Sequence, residues 1–256
     1  MENEALQNVF DLHSTKVFNK TSDVPEEDVQ TILEACVHAP NASNRQSYSI
    51  VDVDDREVIL KVFGSMASRA LLFCADVSRL EALATHVGAG FEARGMVDLN
   101  TAIIDATLAA SAACVAANAI GVGYLPRHFF QTSGIDDIYE RFGLPRHLCF
   151  PVLVLLLGYP RKEPEFHRGR LTGEGVVHRG TYRQLDDEAL DRLVARYDDK
   201  EDHMALVPVD WERKGYDHYI GWYYTETRKP DRQEDSTRML LRTYEKVGFL
   251  DRSLLD

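Results

Sequence analysis

Residues 106–125, ATLAASAACVAANAIGVGYL, carry no formal charge over about the length that spans a bilayer. A stretch of this kind either crosses a membrane or is buried on all sides by its own protein. Composition separates the two. The run is built of Ala, Ser, Asn and Gly with few Leu, Ile or Phe, and Asp105 stands at its start. Insertion into lipid rewards large apolar side chains, which are scarce here. The reading is a helix over 98–120 buried in a soluble core or a subunit interface, with no membrane partner.

The remaining composition agrees. With 256 residues the chain can bury a sizeable core, and 45% hydrophobic and 27% charged residues are ordinary for a globular protein. A formal charge of −12 argues against a nucleic-acid partner, which demands a basic face. The first residues, MENEALQNVFDLH, are acidic early and hold no apolar leader, so a cytoplasmic protein is expected. Cys36, Cys74, Cys114 and Cys149 are far apart and form no ligand cluster. Buried reduced thiols are expected, and no metal site.

SDVPEEDVQTILEACVHAP reads as a helix with Asp23 or Ser22 as cap and Pro25 in the first turn. Val29, Ile32, Leu33 and Cys36 form its core stripe, and Pro40 stops it. YSIVDV (48–53), ALLFCADV (70–77) and FPVLVLLLGYP (150–160) read as strands, the last central because it does not alternate. Short helices are expected at REVILKVFGSMA and GIDDIYERFGLP, with others over 186–197 and 236–247. EFHRGRLTGEG (165–175) has too little periodicity for a regular element. GVG (121–123) lacks the further glycine of a dinucleotide fold. The aromatic stretch with Tyr216, His218, Tyr219, Trp222, Tyr223 and Tyr224 is expected to pack on the body or on a second subunit.

Three separated segments place polar side chains where the chain turns. HSTK (13–16) offers two hydroxyls and an ammonium, and HRGR (167–170) offers two guanidiniums, together a plausible phosphate cradle. APNASNRQ (39–46) offers Asn44 and Gln46, which suit sugar-like hydroxyls or a heterocycle edge. Each segment by itself also fits a solvated turn.

Their order carries more. HSTKVF, then APNASNRQSYSIV, then IGVGYLP, then LGYPRKEPEFHRGRLTGEGVVH together resemble the nitroreductase family of FMN-dependent flavoproteins, over about residues 8–180. The resemblance implies that His13, Ser14 and Lys16 contact the ribityl-phosphate end and polar ring edge of a non-covalent FMN. It implies that Pro40, Asn41, Ala42, Asn44 and Gln46 line the ring and ribityl chain, often from the other subunit. Leu125, Pro126, Arg127 and His128 match the segment passing over the ring, with His128 a candidate proton donor. Arg168 and Arg170 match the pair gripping the phosphate. Two departures stand out: Leu12 replaces the usual arginine before HSTK, and Ser47 with Tyr48 replaces Pro-Trp.

The implied fold is α+β, a mostly antiparallel central sheet surrounded by helices in a swapped homodimer. Residues 1–190 would form the FMN-binding domain and 191–256 a C-terminal extension. The implied activity is ping-pong electron transfer from NAD(P)H, as co-substrate, to a nitroaromatic, quinone or similar small acceptor. The flavin would do the chemistry, so no catalytic acid or base is assigned. Two alternatives remain: an FMN-binding redox sensor without turnover, and a sibling flavoenzyme that dehalogenates or fragments its ligand.

Overall fold

The most apolar runs of the chain pair at the centre of a sheet. In the computed structural model, which describes residues 3–162, 165–205, 209–227 and 230–254, β4 (Cys149–Gly158) lies antiparallel to β2 (Arg69–Asp76). β1 (Tyr48–Val53) and β3 (Gly123–Arg127) take the edges, in the order β1-β2-β4-β3, with every pairing antiparallel. Nearly all of β2 and β4 is buried, which is why neither alternates. The register shifts between Phe73 and Cys74, opposite Pro151, where β4 has no N–H to offer.

Around the sheet run α1 (Glu4–Phe10), α2 (Glu26–Val37), α3 (Arg56–Phe63), α4 (Ser78–His86), α5 (Met96–Ala119) and α6 (Ile135–Phe142). Asp55 caps α3 by accepting the N–H of Glu57 and Val58, and Gly64 ends it in the left-handed region. The expected cap of α2 is different. Asp23 instead accepts the guanidinium of Arg56, and Pro25 stands just outside the helix rather than in its first turn. A fixed charge partner from α3 holds Asp23 better than an exposed backbone N–H would.

The uncharged run is helical as far as Ala119 and enters β3 at Gly123, and its helix lies on the sheet. α5 packs against α2 and crosses β2, β4, β1 and β3, burying Leu99, Ala102, Ala106, Ala109, Ala110, Ala113 and Ala117. It is long and apolar enough to cross a membrane by composition, but its small side chains serve close approach to the strands. Its outer face is not buried on all sides: Val97, Ile104 and Leu108 are exposed.

The described residues divide into two compact units, 1–163 with 236–256, and 164–235. This differs from the division expected at residue 190. Residues 165–190 cluster with the helices after them, while residues 236–254 belong with the sheet, burying Val247 and Phe249. The second unit holds α7 (Asp187–Asp198), α8 (Tyr219–Glu226) and the start of α9 (Pro230–Lys246). Within this unit the aromatic stretch packs on itself: Trp211, Tyr219 and Trp222 bury one another beside Tyr197 and Tyr223. Asp198 accepts the N–H of Tyr219 and a bond from His218, fixing the start of α8. Residues 163–164, 206–208 and 228–229, at the ends of the Arg-rich and aromatic stretches, lie outside the described residues.

Gly123 has a steric reason to be glycine. A Cβ there would sit 2.5 Å from the hydroxyl of Thr15 and 2.7 Å from the carbonyl of Gly158. Thr15 is buried, and its N–H donates to the carbonyl of Tyr124 at 2.8 Å. The Thr15 segment therefore lies directly on β3, and only glycine leaves room for it. Gly123→Ala is expected to lower stability by about 1–3 kcal/mol through overpacking. Adding Thr15→Ala, which removes the struck hydroxyl, should recover part of the loss. Thermal unfolding of the single and double variants measures both.

Candidate active site

The loop between α2 and β1 is shaped from beneath. Ser43, Asn44 and Gln46 hold φ of 53°, 53° and 49°, a left-handed backbone that costs roughly 1–2 kcal/mol for most non-glycine residues. Something must hold them there. Asp105 of α5, 1% exposed, accepts the N–H of Ala42 at 2.9 Å and of Ser47 at 3.2 Å. The side-chain oxygen of Asn41 accepts the N–H of Gln46 at 3.0 Å, and the Gln46 amide donates to the carbonyl of Val37 at 3.2 Å. Arg79 donates to the carbonyl of Gln46.

Two of the loop's amides, on Asn41 and Gln46, are thus engaged in turn chemistry. Asn44 is exposed and its side chain bonds to no protein group among the described residues, and Pro40 is exposed beside it. Ala42 is half-buried because its N–H is bound below.

The second polar segment runs along the other edge of the sheet. Asn19 donates to the carbonyl of Tyr159, Arg161 donates to that of Val17, and Phe18 bridges Pro160. These bonds with the Thr15 bond leave Ser14 and Lys16 pointing away from the buried Thr15, both exposed and without a protein partner among the described residues. His13 is half-buried and donates from Nδ1 to the carbonyl of Asp11 at 2.8 Å. Leu12, in place of the usual arginine, packs against the core.

β3 separates its own predicted residues. The side chain of Leu125 is buried in the core, while Pro126 and His128 are exposed. Arg127 donates to the carbonyl of Phe63 at 2.8 Å, so its charge is spent on holding the end of α3. In the second unit, Arg168 donates to the carbonyl of Ala205 and lies over the ring of Phe166. Arg170 is exposed and reaches only carbonyls of Arg168 and Gly169, at 3.2 Å and 3.0 Å. Gly169 must be glycine, because a Cβ would strike the backbone of Asp202.

Within the first unit the sheet sets the distances. The 39–46 loop enters at the β1 edge, level with the start of β4, and Thr15 lies on the β3 edge, level with the end of β4, so the two segments sit at opposite corners of the sheet. Asp105, Arg79, Thr15 and Gly123, none of them read from the sequence as site residues, give these two segments their shape. Asp105 left one signal: a carboxylate opening an uncharged helix is costly unless it is hydrogen-bonded.

The unspent groups suit FMN chemically. Ser14 supplies a hydroxyl, Lys16 an ammonium and Asn44 an amide, as a phosphorylated polyol carrying a heterocycle requires. The thiols take no part: Cys36 and Cys114 are pushed up to about 12 by burial, and Cys74 is raised by its contact with Cys149 and by burial.

Comparison with known proteins bears on the same segments. The family model described as Nitroreductase family matches residues 12–86, which contain HSTK and the 39–46 loop. The chain is 26% identical over 244 residues to the FMN reductase [NAD(P)H] of Bacillus subtilis (strain 168), covering 91% of this chain and 95% of that protein. It is 21% identical to nitroreductase A from Vibrio parahaemolyticus RIMD 2210633, with a TM-score of 0.75 over 95% of this chain and 98% of that one. With NfrA2 of B. megaterium the TM-score is 0.75 at 23% identity, over 93% of this chain and 98% of that one. By its matched segments, its full-length relative and its antiparallel α+β fold, this chain is similar to the nitroreductase family.

Proposed function

We propose that this protein is an NAD(P)H-dependent FMN oxidoreductase that passes electrons to a nitroaromatic, quinone or similar small acceptor. The observation that supports it most is the pre-shaped 39–46 loop, whose backbone is held left-handed while Asn44 is left exposed and unspent. A relative aligned over 91% of the chain is named FMN reductase [NAD(P)H]. FMN, once bound, would supply reversible two-electron redox chemistry between nicotinamide and acceptor.

The chain's part is binding and orientation. Ser14 and Lys16 would hold the polar end of FMN, and Asn44 with Pro40 would lie along the ring and ribityl chain. Arg170 is the phosphate ligand that the family resemblance assigns, and its guanidinium is bound to no carboxylate among the described residues. His128 is exposed at the end of β3 and could hold a proton beside the acceptor.

The two polar segments, at opposite corners of the sheet, favour a homodimer in which each copy completes the other's site. An exposed apolar surface favours it too. Ile104 and Leu108 on α5 are 59% and 39% exposed, and Leu6, Val9 and Phe10 on the neighbouring α1 are 53%, 45% and 72% exposed. Asn8 ties α1 to α5 through Val115 and Asn118. Large apolar side chains left exposed on a helix favour a partner surface.

The purified protein is expected to carry one FMN per chain, released on denaturation. Arg170→Ala should weaken FMN about 10- to 100-fold, the loss of one charge-assisted hydrogen bond of ~1.5–3 kcal/mol. Riboflavin, lacking the phosphate, should bind parent and variant alike. Titration of apoprotein with both flavins measures this, and equal FMN affinity removes Arg170 from the site.

Steady-state kinetics should give parallel double-reciprocal lines for NAD(P)H against a quinone, since donor and acceptor would use one place in turn. Intersecting lines would require both to be bound together.

Light scattering at micromolar concentration should show a dimer, and Ile104→Glu with Leu108→Glu should yield monomers that lose flavin. A flavin-loaded monomer would rule out a shared site.

A further inference from the structure

Asp105 is a carboxylate with almost no exposure, set where the rest of the helix carries no charge up to Ala119. Both of its oxygens face one loop. Oδ1 accepts the N–H of Ala42 and Oδ2 that of Ser47, so a single side chain closes the two ends of a six-residue turn, 42–47. Between those ends lie the left-handed residues Ser43, Asn44 and Gln46. Backbone of alternating hand turns successive N–H groups toward one concave side, where an anion is favoured. Here Asn44 and Gln46 have positive φ and Arg45 between them has φ −84°. In this loop the N–H of Arg45 is instead bound to the carbonyl of Ala42 and that of Gln46 to Oδ1 of Asn41, while Asp105 takes the N–H groups at the two ends. With both ends of the loop bound to Asp105, the side chains of Ser43 and Asn44 stay exposed.

Ser47 makes the arrangement possible. A proline at this position could supply ring stiffness but no N–H, whereas Ser47 donates to Asp105 and is buried doing so. The stiffness of the loop therefore comes from a bond to α5 and not from the loop's own covalent structure.

We propose that Asp105 is a positioning residue for the flavin site: it holds the 42–47 loop in its binding conformation before any ligand arrives. This rests on the reading of the loop as the flavin-facing segment. Because that segment is assigned to the ring and ribityl chain, Asp105 governs affinity for FMN and riboflavin equally, unlike Arg170, which acts on the phosphate alone.

The test uses the full chain. In parent apoprotein, the amides of Ala42 and Ser47 are expected to be protected from hydrogen exchange without flavin. If they exchange freely and gain protection only when FMN is added, the loop is not preformed and the proposal fails. Asp105→Asn keeps the volume but turns an N–H donor against one of the two loop donors. It should speed exchange at Ala42 or Ser47 while amides of β2 and β4 stay protected, and weaken FMN and riboflavin by a similar factor of about 10 or more. Unchanged exchange, or faster exchange with unchanged affinity for both flavins, overturns it. A parent protein that binds neither flavin would instead overturn the functional reading, with its Ala42 and Ser47 amides still protected. The exchange measurement on the parent keeps the claim open to refutation if the Asp105→Asn chain does not fold.

Discussion

The contact of the alanine face of α5 with the sheet sets the position of everything else in the first unit. Ala102, Ala106, Ala109, Ala113 and Ala117 are buried to the last few per cent, and α2 packs along the same helix. Small side chains bring the helix axis close to the strands, so little room is left for adjustment. Any group that α5 carries inward is consequently held at a set height over the sheet. Two such groups are carboxylates, Asp98 and Asp105, seven residues and about two turns apart.

Each of these carboxylates draws a loop onto the helix. Asp98 accepts the N–H of Arg94 at 2.8 Å and its guanidinium at 2.9 Å, with the guanidinium of Arg45 4.0 Å away. Asp105 closes the turn from Ala42 to Ser47. Burying a carboxylate without partners is strongly unfavourable, so the loops and the helix stabilise one another. The same packing that builds the core thus also shapes the loop proposed to face the flavin.

Much of the architecture was legible in the residues because it rests on local or near-local patterns. YSIVDV is β1 to the residue, and the apolar runs read as strands at 70–77 and 150–160 are β2 (Arg69–Asp76) and β4 (Cys149–Gly158) to within two residues. The elements that escaped are those with weak patterns: α1, α4 and α8, and β3, whose GYLPR holds a glycine and a proline and pairs only on one side. Its strand character comes from β4, not from propensity. The aromatic stretch was recognised as packing material, but that Trp211 and Trp222 meet through Tyr219 depends on where α7 and α8 fold.

The candidate site shows the same division more sharply. By itself the sequence determined which segments carry unspent polar groups, which family they resemble, and that the uncharged helix serves a protein core, since residue type and order suffice for these. Only the tertiary structure decided that Asn41 and Gln46 shape the loop while Asn44 stays exposed, that Arg127 holds α3, and that Leu125 faces inward. It also decided the role of Asp105, whose partners stand 63 and 58 residues away. A hydrogen bond acts over a few ångströms in space, and no local pattern records which distant backbone N–H the packing of α5 will bring within that reach.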